Sequence, residues 1–263
     1  MGPLTTGLLN KLRRRGSIAT VSEAGGPRTD ARVFARTVER AAMGLASRGV
    51  WPGDVVAILA PVSPARLTAV YTVLAVGGVA LPLEKNGTID TDTQIEVLTE
   101  TDTRLLLVTS PLATAALEMA ERSRVRQVIA FGSAPETTPF EELLESSADS
   151  APRCPAHDAF DSGIVGYQAT GGGVVTTLYG QADLLDRFRQ FDAELDLRHG
   201  DVVAVESGMP EPSRTALAAL ALWHGVSVVT IATESEPEIR RVLATAGATV
   251  RGAPVPTRVA TRN

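Results

Sequence analysis

Residues 53–59 read Gly-Asp-Val-Val-Ala-Ile-Leu, a glycine-aspartate turn followed by an unbroken apolar run. Such a run, without polar alternation, is typical of a parallel strand that is buried on both faces. The turn and the start of the run recur at residues 200–204 as Gly-Asp-Val-Val-Ala. This recurrence indicates that one α/β unit occurs twice in the chain.

Strand-like and helix-like patterns alternate around both copies of this run. Each copy is predicted to run strand, loop, helix, glycine, strand, helix, strand. The predicted strands cover residues 55–59, 79–83, 105–108, 127–131, 202–204 and 248–250. One predicted helix follows Asp30 as its N-cap, and others cover about 63–76, 91–99, 111–122, 184–195 and 237–246. The alternation favours an α/β fold of two related lobes, each a mostly parallel sheet with helices on both faces.

The patterning also divides the chain into four parts. Residues 1–29 are expected to form an N-terminal extension with a short, solvated amphipathic helix, and residues 30–131 a first lobe. Residues 132–160, rich in proline, serine and acidic residues, are predicted to be a surface connection. Residues 161–263 are expected to form a second lobe that carries a glycine-rich loop.

Composition narrows the classes of function. A net charge of −5 without a basic face argues against nucleic-acid binding, which depends on phosphate neutralisation. The single Cys154 cannot form an internal disulfide, which fits a reducing, cytoplasmic compartment. Residues 67–83 are apolar, but Gly77, Gly78 and Pro82 interrupt them, so no membrane span is expected. Cys154 and His157 lie close in sequence but are too few for a metal site.

The candidate binding residues lie in a glycine-rich stretch. Residues 166–177 read Gly-Tyr-Gln-Ala-Thr-Gly-Gly-Gly-Val-Val-Thr-Thr and are predicted to form a turn between a strand and a helix. Backbone N–H groups in such a turn can hold an anion. No lysine follows Lys85, however, so the turn lacks a nearby lysine to neutralise phosphate. The alternative is a structural turn whose glycines allow tight strand–helix packing.

The order of these features resembles the N-terminal portion of the adenylate-forming enzymes, the AMP-forming acyl-CoA synthetases and their relatives. The resemblance runs from about Asp30 to Thr257 and depends on several segments taken together. The segments are residues 44–50 (Gly-Leu-Ala-Ser-Arg-Gly-Val), 52–59 (Pro-Gly-Asp-Val-Val-Ala-Ile-Leu) and 75–83 (Ala-Val-Gly-Gly-Val-Ala-Leu-Pro-Leu). The resemblance implies the fold of the large N-terminal domain of acyl-CoA synthetases.

The resemblance also implies a degenerate phosphate loop. In the family, a Tyr-Ser-Ser-Gly-Thr-Thr-Gly-Leu-Pro-Lys-Gly pattern cradles the ATP phosphates. Here Tyr167 and Gly173 match, whereas the lysine position falls on Val175 or Thr176. Residual ATP, AMP or acyl-adenylate binding would then use Thr170, Gly171, Gly172, Gly173, Thr176 and Thr177. No residue of the chain is expected to be catalytic.

Two further departures from the family concern the acyl pocket and the later parts of the enzyme. Residues 208–212, Gly-Met-Pro-Glu-Pro, stand where the family carries a Pro-Leu-Phe-His-like run. The family's adenine-contacting segment, ribose-binding acid and C-terminal domain with its catalytic lysine have no counterpart in this sequence.

Three functions remain open from the sequence. The first is a truncated, non-adenylating relative, a pseudoenzyme that binds an acyl or nucleotide ligand or a partner protein. The second is one part of a split ATP-dependent acyl-adenylating ligase, completed by a second chain. The third is a structural protein that assembles as a homo-oligomer.

Overall fold

The computed structural model describes residues 4–14, 19–84, 90–145, 162–171 and 173–259. The chain folds into two compact units. Unit one comprises Met1–Arg36, Val62–Leu67 and Ala182–Asn263; unit two comprises Thr37–Pro61 and Thr68–Gln181. Lys85, Cys154, His157 and Gly172 lie outside the described residues.

The helices fall close to the predicted positions. They are α1 Leu4–Arg14, α2 Ala31–Ser47, α3 Pro64–Ala75, α4 Thr91–Glu100, α5 Ala113–Glu121, α6 Glu141–Glu145, α7 Gln181–Leu195, α8 Glu211–His224 and α9 Glu236–Ala246. Asp30 caps α2 as predicted, because its Oδ1 accepts a hydrogen bond of 2.7 Å from the N–H of Arg32. None of the helices in the described residues is long and apolar enough to cross a membrane.

The strands form one sheet in each unit. They are β1 Thr20–Glu23, β2 Arg28–Asp30, β3 Val55–Leu59, β4 Val79–Leu83, β5 Leu105–Thr109, β6 Gln127–Phe131, β7 Thr138–Pro139, β8 Gly163–Thr170, β9 Gly173–Gly180, β10 Val202–Glu206, β11 Ser227–Ile231, β12 Val250–Gly252 and β13 Thr257–Arg258. The sheet of unit one has the order β13-β12-β10-β11-β1-β2, and that of unit two the order β7-β6-β5-β3-β4-β8-β9. Both sheets are mostly parallel, so the predicted α/β class is confirmed.

The two copies inferred from the sequence have the same order of elements. The first runs β1-β2-α2-β3-α3-β4-α4-β5, and the second runs β8-β9-α7-β10-α8-β11-α9-β12. Each copy begins with an antiparallel hairpin, and that hairpin pairs with the sheet of the other copy. β1 lies beside β11, whereas β8 lies beside β4. The copies therefore exchange their first hairpins.

The recurring glycine-aspartate turn has the same geometry in both copies. Gly53 and Gly200 adopt φ of 88° and 93°, a conformation that favours glycine. Asp54 Oδ2 accepts a 2.7 Å hydrogen bond from the N–H of Trp51, and Asp201 Oδ2 accepts one of equal length from Arg198. The motif therefore encodes the turn that starts β3 and β10.

The predicted domain boundaries are wrong at both hairpins. Residues 1–29 are not a separate extension, because β1 and β2 pair into the sheet of unit one. The glycine-rich stretch does not belong with the later strands, because β8 and β9 pair into the sheet of unit two. The prediction assumed that neighbours in sequence share a sheet, and the exchange of hairpins breaks that assumption.

The first helix is also more than the solvated helix expected from the sequence. Leu8, Leu9 and Leu12 of α1 are buried, and α1 packs on α8. On the same helix, Lys11 Nζ lies 3.9 Å from the centroid of the Trp223 ring. Burial of its leucines makes α1 part of the core of unit one.

Candidate functional site

The glycine-rich stretch forms a β-hairpin rather than the predicted turn between a strand and a helix. β8 and β9 pair without interruption from Gly163 opposite Gly180 to Thr170 opposite Gly173. The helix that follows, α7, begins only after β9 has ended. The sequence prediction missed β9, because its glycine and threonine content was interpreted as a loop.

The hairpin separates the candidate hydroxyl groups from one another. Thr176 and Thr177 are consecutive in a regular strand, so their side chains point to opposite faces of the sheet. Thr170 is opposite Gly173, and its Oγ1 donates a 2.9 Å hydrogen bond to the Gly173 carbonyl. Gly171 lies at the turn, and Gly172 is outside the described residues. The side chains of the three threonines therefore do not converge on one point.

A carboxylate stands next to the tip of the hairpin. Gly173 has φ of 121°, and a Cβ placed on it would lie 3.4 Å from Glu96 Oε1. A carboxylate beside the hairpin tip disfavours a phosphate group there, since like charges repel each other at close range. The local electrostatics therefore oppose triphosphate at Gly173.

Tyr167, the residue that matches the family's tyrosine, is part of the core. It is buried in an apolar cluster of unit two, and Val174 of β9 packs against the same cluster. Its hydroxyl accepts a 3.4 Å hydrogen bond from the N–H of Glu84. The matching tyrosine thus holds the hairpin against the end of β4.

The structure adds a buried ionic cluster that the sequence analysis did not assign. Glu211 Oε2 accepts hydrogen bonds from Arg66 Nε at 2.7 Å and from Arg214 Nη1 at 2.6 Å. All three side chains are almost fully buried in unit one. Arg214 also donates to the carbonyls of Glu206, Ser207 and Met209. Arg66 and Arg214 recur between the two copies of the repeat at an offset of 148 residues (214 − 66), which is a signal in the sequence, but nothing local points to Glu211.

Charge keeps Glu211 ionised despite its burial. Desolvation by itself raises the pKa of a carboxyl group. Here Arg214 and then Arg66 outweigh that effect, so the pKa of Glu211 lies below its ordinary value. Glu211 lies in residues 208–212, the segment that stands where the family carries a Pro-Leu-Phe-His-like run. It is a buried anion that two arginines neutralise, and it is therefore not a free base.

A second ionic group lies near the end of β10. Arg251 Nε donates to Glu206 Oε1 at 2.7 Å, and Arg251 Nη2 donates to Glu236 Oε2 at 2.7 Å. The hydrogen bond from Arg251 lowers the pKa of Glu236 to about 2. The pKa of Arg251 is raised in turn by the two carboxylates. With so low a pKa, Glu236 is a poor proton acceptor at neutral pH.

The comparisons with known proteins agree with this fold. A family model described as AMP-binding enzyme matches residues 12–167, and the chain belongs to that family. The comparison with curated proteins gave no match. The fold is that of the N-terminal domain of acyl-CoA ligases, an acyl-CoA synthetase-like adenylate-forming fold.

The solved structures that share this fold are of proteins with longer chains than this one. A candidate long-chain-fatty-acid CoA ligase from Rhodopseudomonas palustris is 21% identical with a TM-score of 0.79, over 95% of this chain and 62% of that one. A benzoate CoA ligase from Burkholderia xenovorans is 18% identical with a TM-score of 0.78, over 95% and 50%. A red-emitting luciferase from Phrixothrix hirtus is 12% identical with a TM-score of 0.80, over 94% and 49%. The chain thus spans less than two thirds of each.

Proposed function

We propose that this chain does not adenylate carboxylic acids by itself and acts as a ligand-binding or partner-binding pseudoenzyme of the acyl-CoA synthetase type. One observation carries the proposal: the stretch at the phosphate-loop position is a closed β-hairpin with Glu96 beside its tip. The position of the loop lysine is occupied by Val175 or Thr176. The single cysteine favours a cytoplasmic protein.

The expected loss of ATP affinity is large. Each charge-assisted hydrogen bond to phosphate contributes about 1.5–3 kcal/mol. Loss of two such bonds weakens binding by roughly two to four decades. Repulsion from Glu96 adds to this loss. Any remaining binding of ATP, AMP or an acyl adenylate would therefore be weak at the hairpin.

Pyrophosphate exchange tests the absence of adenylation. The purified chain is incubated with ATP, Mg²⁺, labelled pyrophosphate and a panel of aliphatic and aromatic acids, with a benzoate CoA ligase as the positive control. The expected result is no exchange above background with any acid. Exchange that depends on an acid would overturn the proposal.

Calorimetric titration tests the binding role separately. ATP, AMP, CoA and non-hydrolysable acyl-adenylate analogues are titrated into the same preparation. The expected result is weak or absent ATP binding, with any tighter binding confined to acyl-containing ligands. Tight ATP binding would contradict the interpretation of the hairpin even if no exchange occurred.

The edge of the unit-two sheet favours self-association as a second candidate function. β9 ends the strand order, so its outer edge pairs with no strand among the described residues. Its sequence, Gly-Val-Val-Thr-Thr-Leu-Tyr-Gly, has no charge and no proline, the usual protections of an exposed edge. Val175 and Leu178 are 54% and 50% exposed. We infer that the occupant is the β9 edge of a second copy, in antiparallel pairing.

Sedimentation velocity over a wide concentration range tests this assembly. A mass that rises from monomer to dimer with concentration supports pairing of the β9 edges. A monomer at all concentrations would rule it out and would leave the proposed loss of adenylation untouched.

A further inference from the structure

Unit one contains a polar cavity that none of the preceding functions uses. Its volume is about 510 Å³, within the range of small-molecule sites. It lies between the β1–β2 hairpin, the first residues of β10 and β11, and the second half of α9. The polar and charged lining residues on which the inference depends are Thr20, Ser22, Glu23, Arg28, Ser227 and Arg241.

A comparison of the two copies of the repeat shows that the sheet surface beside this cavity is unusually polar. In the sheet of unit two, one row across β3, β4, β8 and β9 is apolar throughout: Ala57, Leu81, Val165 and Leu178. The equivalent row across β10, β11, β1 and β2 is Ala204, Val229, Ser22 and Arg28. In the hairpin strands, Val165 and Leu178 of one copy thus correspond to Ser22 and Arg28 of the other. Ala57, Leu81 and Val165 of the first row belong to an apolar core, whereas Val229, Ser22 and Arg28 of the second row line the cavity.

Hydroxyl groups form the floor of the cavity. Ser22 is only 5% exposed. Thr20 Oγ1 donates to Ser227 Oγ at 3.2 Å, and the N–H of Thr20 donates to the same oxygen at 3.1 Å. The buried Ser22 and the partly buried Thr20 and Ser227 offer hydrogen bonds to a polar ligand, which apolar side chains would not.

The charges that line the cavity leave positive charge uncompensated. Within the described part of the chain, the side chains of Arg28 and Arg241 have neither an ion pair nor a hydrogen bond. Other arginines, such as Arg66, Arg214 and Arg251, are held by carboxylates. Glu23 is the one acidic residue of the lining, so the lining carries two guanidinium groups and one carboxylate.

We propose that this cavity binds a small organic anion with a terminal carboxylate or phosphate. Arg28 and Arg241 bind the anionic group, because a guanidinium group pairs with either oxyanion through two parallel hydrogen bonds. Ser22, Thr20 and Ser227 contact the rest of the molecule. The site consists only of unit-one residues, whereas the glycine-rich hairpin belongs to unit two. The proposed anion site therefore does not depend on whether the chain adenylates an acid.

NMR titration of the ¹⁵N-labelled chain tests the site, with inorganic phosphate, phenyl phosphate, succinate and benzoate as probes at constant ionic strength. The expected result is saturable shifts of the amides of residues 20–28 and 241–246 with at least one probe. Comparison of the phosphate and carboxylate probes identifies the anionic group. Absence of saturable shifts with all four probes would overturn the proposal.

Three variants distinguish specific binding in this cavity from nonspecific attraction of an anion to positive charge. The double variant Arg28→Gln, Arg241→Gln should bind the active probe at least tenfold more weakly. Arg36→Gln removes an exposed arginine of α2 that does not line the cavity and should leave binding unchanged. Ser22→Val introduces the residue type found at the equivalent position, Val165, and should abolish binding. Circular dichroism should show that this variant remains folded. Equal binding by the double variant and Arg36→Gln would also overturn the proposal.

Discussion

Arg66 and Arg214 occupy equivalent positions in the two copies of the repeat, and both donate to the same oxygen of Glu211. Arg66 lies near the start of α3, and Arg214 near the start of α8. The position equivalent to Glu211 in the first copy is Ser63. One carboxylate therefore neutralises both arginines, and unit one depends on a charge that occurs in only one copy.

Glu211→Gln should destabilise the chain strongly. The substitution removes the buried charge that compensates two buried guanidinium groups, and loss of one partner of a buried pair costs about 3–5 kcal/mol. Urea unfolding followed by circular dichroism measures the change. Glu234→Gln, at an exposed position, is the matched control and should shift the free energy of unfolding by less than about 0.5 kcal/mol. A small effect at Glu211 would show that the cluster relaxes on loss of the charge.

Glu236 should make the stability depend on acid pH. Its pKa is lowered from 4.5 to about 2, so its contribution is fully present above pH 4.5 and is lost as the pH falls towards 2. Glu236→Gln should remove this part of the pH dependence. The check is the denaturant midpoint of both proteins between pH 2 and 6. Parallel curves for the two proteins would contradict the expected role of the Arg251 pair.

Gly173 and Gly171 should respond differently to alanine. Gly173 has a positive φ and has Glu96 close to its missing Cβ, so Gly173→Ala should cost about 1–2 kcal/mol. Gly171→Ala meets no atom within 4 Å and should be almost neutral. Thermal unfolding of both variants provides the comparison. Equal destabilisation would argue against the hairpin geometry.

Gly44→Ala should destabilise the chain although it lies within a helix. Alanine normally stabilises a helix interior by about 1 kcal/mol relative to glycine. Here a Cβ at residue 44 would overlap the carbonyl oxygen of Leu143 in α6, so α2 or α6 must move. We expect a loss of about 1–3 kcal/mol, as in other overpacked sites. A stabilised variant in chemical denaturation would show that this close approach is absent in solution.

Val175→Lys should block assembly through β9. A lysine on an exposed edge strand opposes pairing with another strand, because pairing would bring the charges of the two copies together and desolvate them. Val33→Lys is the control, since Val33 is also exposed but lies on α2. Sedimentation velocity should show a dimer for the wild type and the control but not for Val175→Lys. Dimerisation of all three proteins would place the interface elsewhere.

The amino-acid sequence by itself determined the α/β class and the duplication. Continuous apolar runs such as Val55–Leu59 and the paired turns at Gly53 and Gly200 depend on residues that are close together in the chain. Local turn chemistry and burial on both faces leave few alternatives for such segments. The start of α2 at Asp30 was predictable for the same reason.

Only the tertiary structure decided which sheet each hairpin joins. β1 pairs with β11, and β8 pairs with β4, across more than 80 residues of sequence in each case. The sequence of a short strand with mixed polarity does not indicate which strand it pairs with, because its register depends on surfaces that other parts of the chain form. The same reason applies to Glu211, whose partner Arg66 lies 145 residues away.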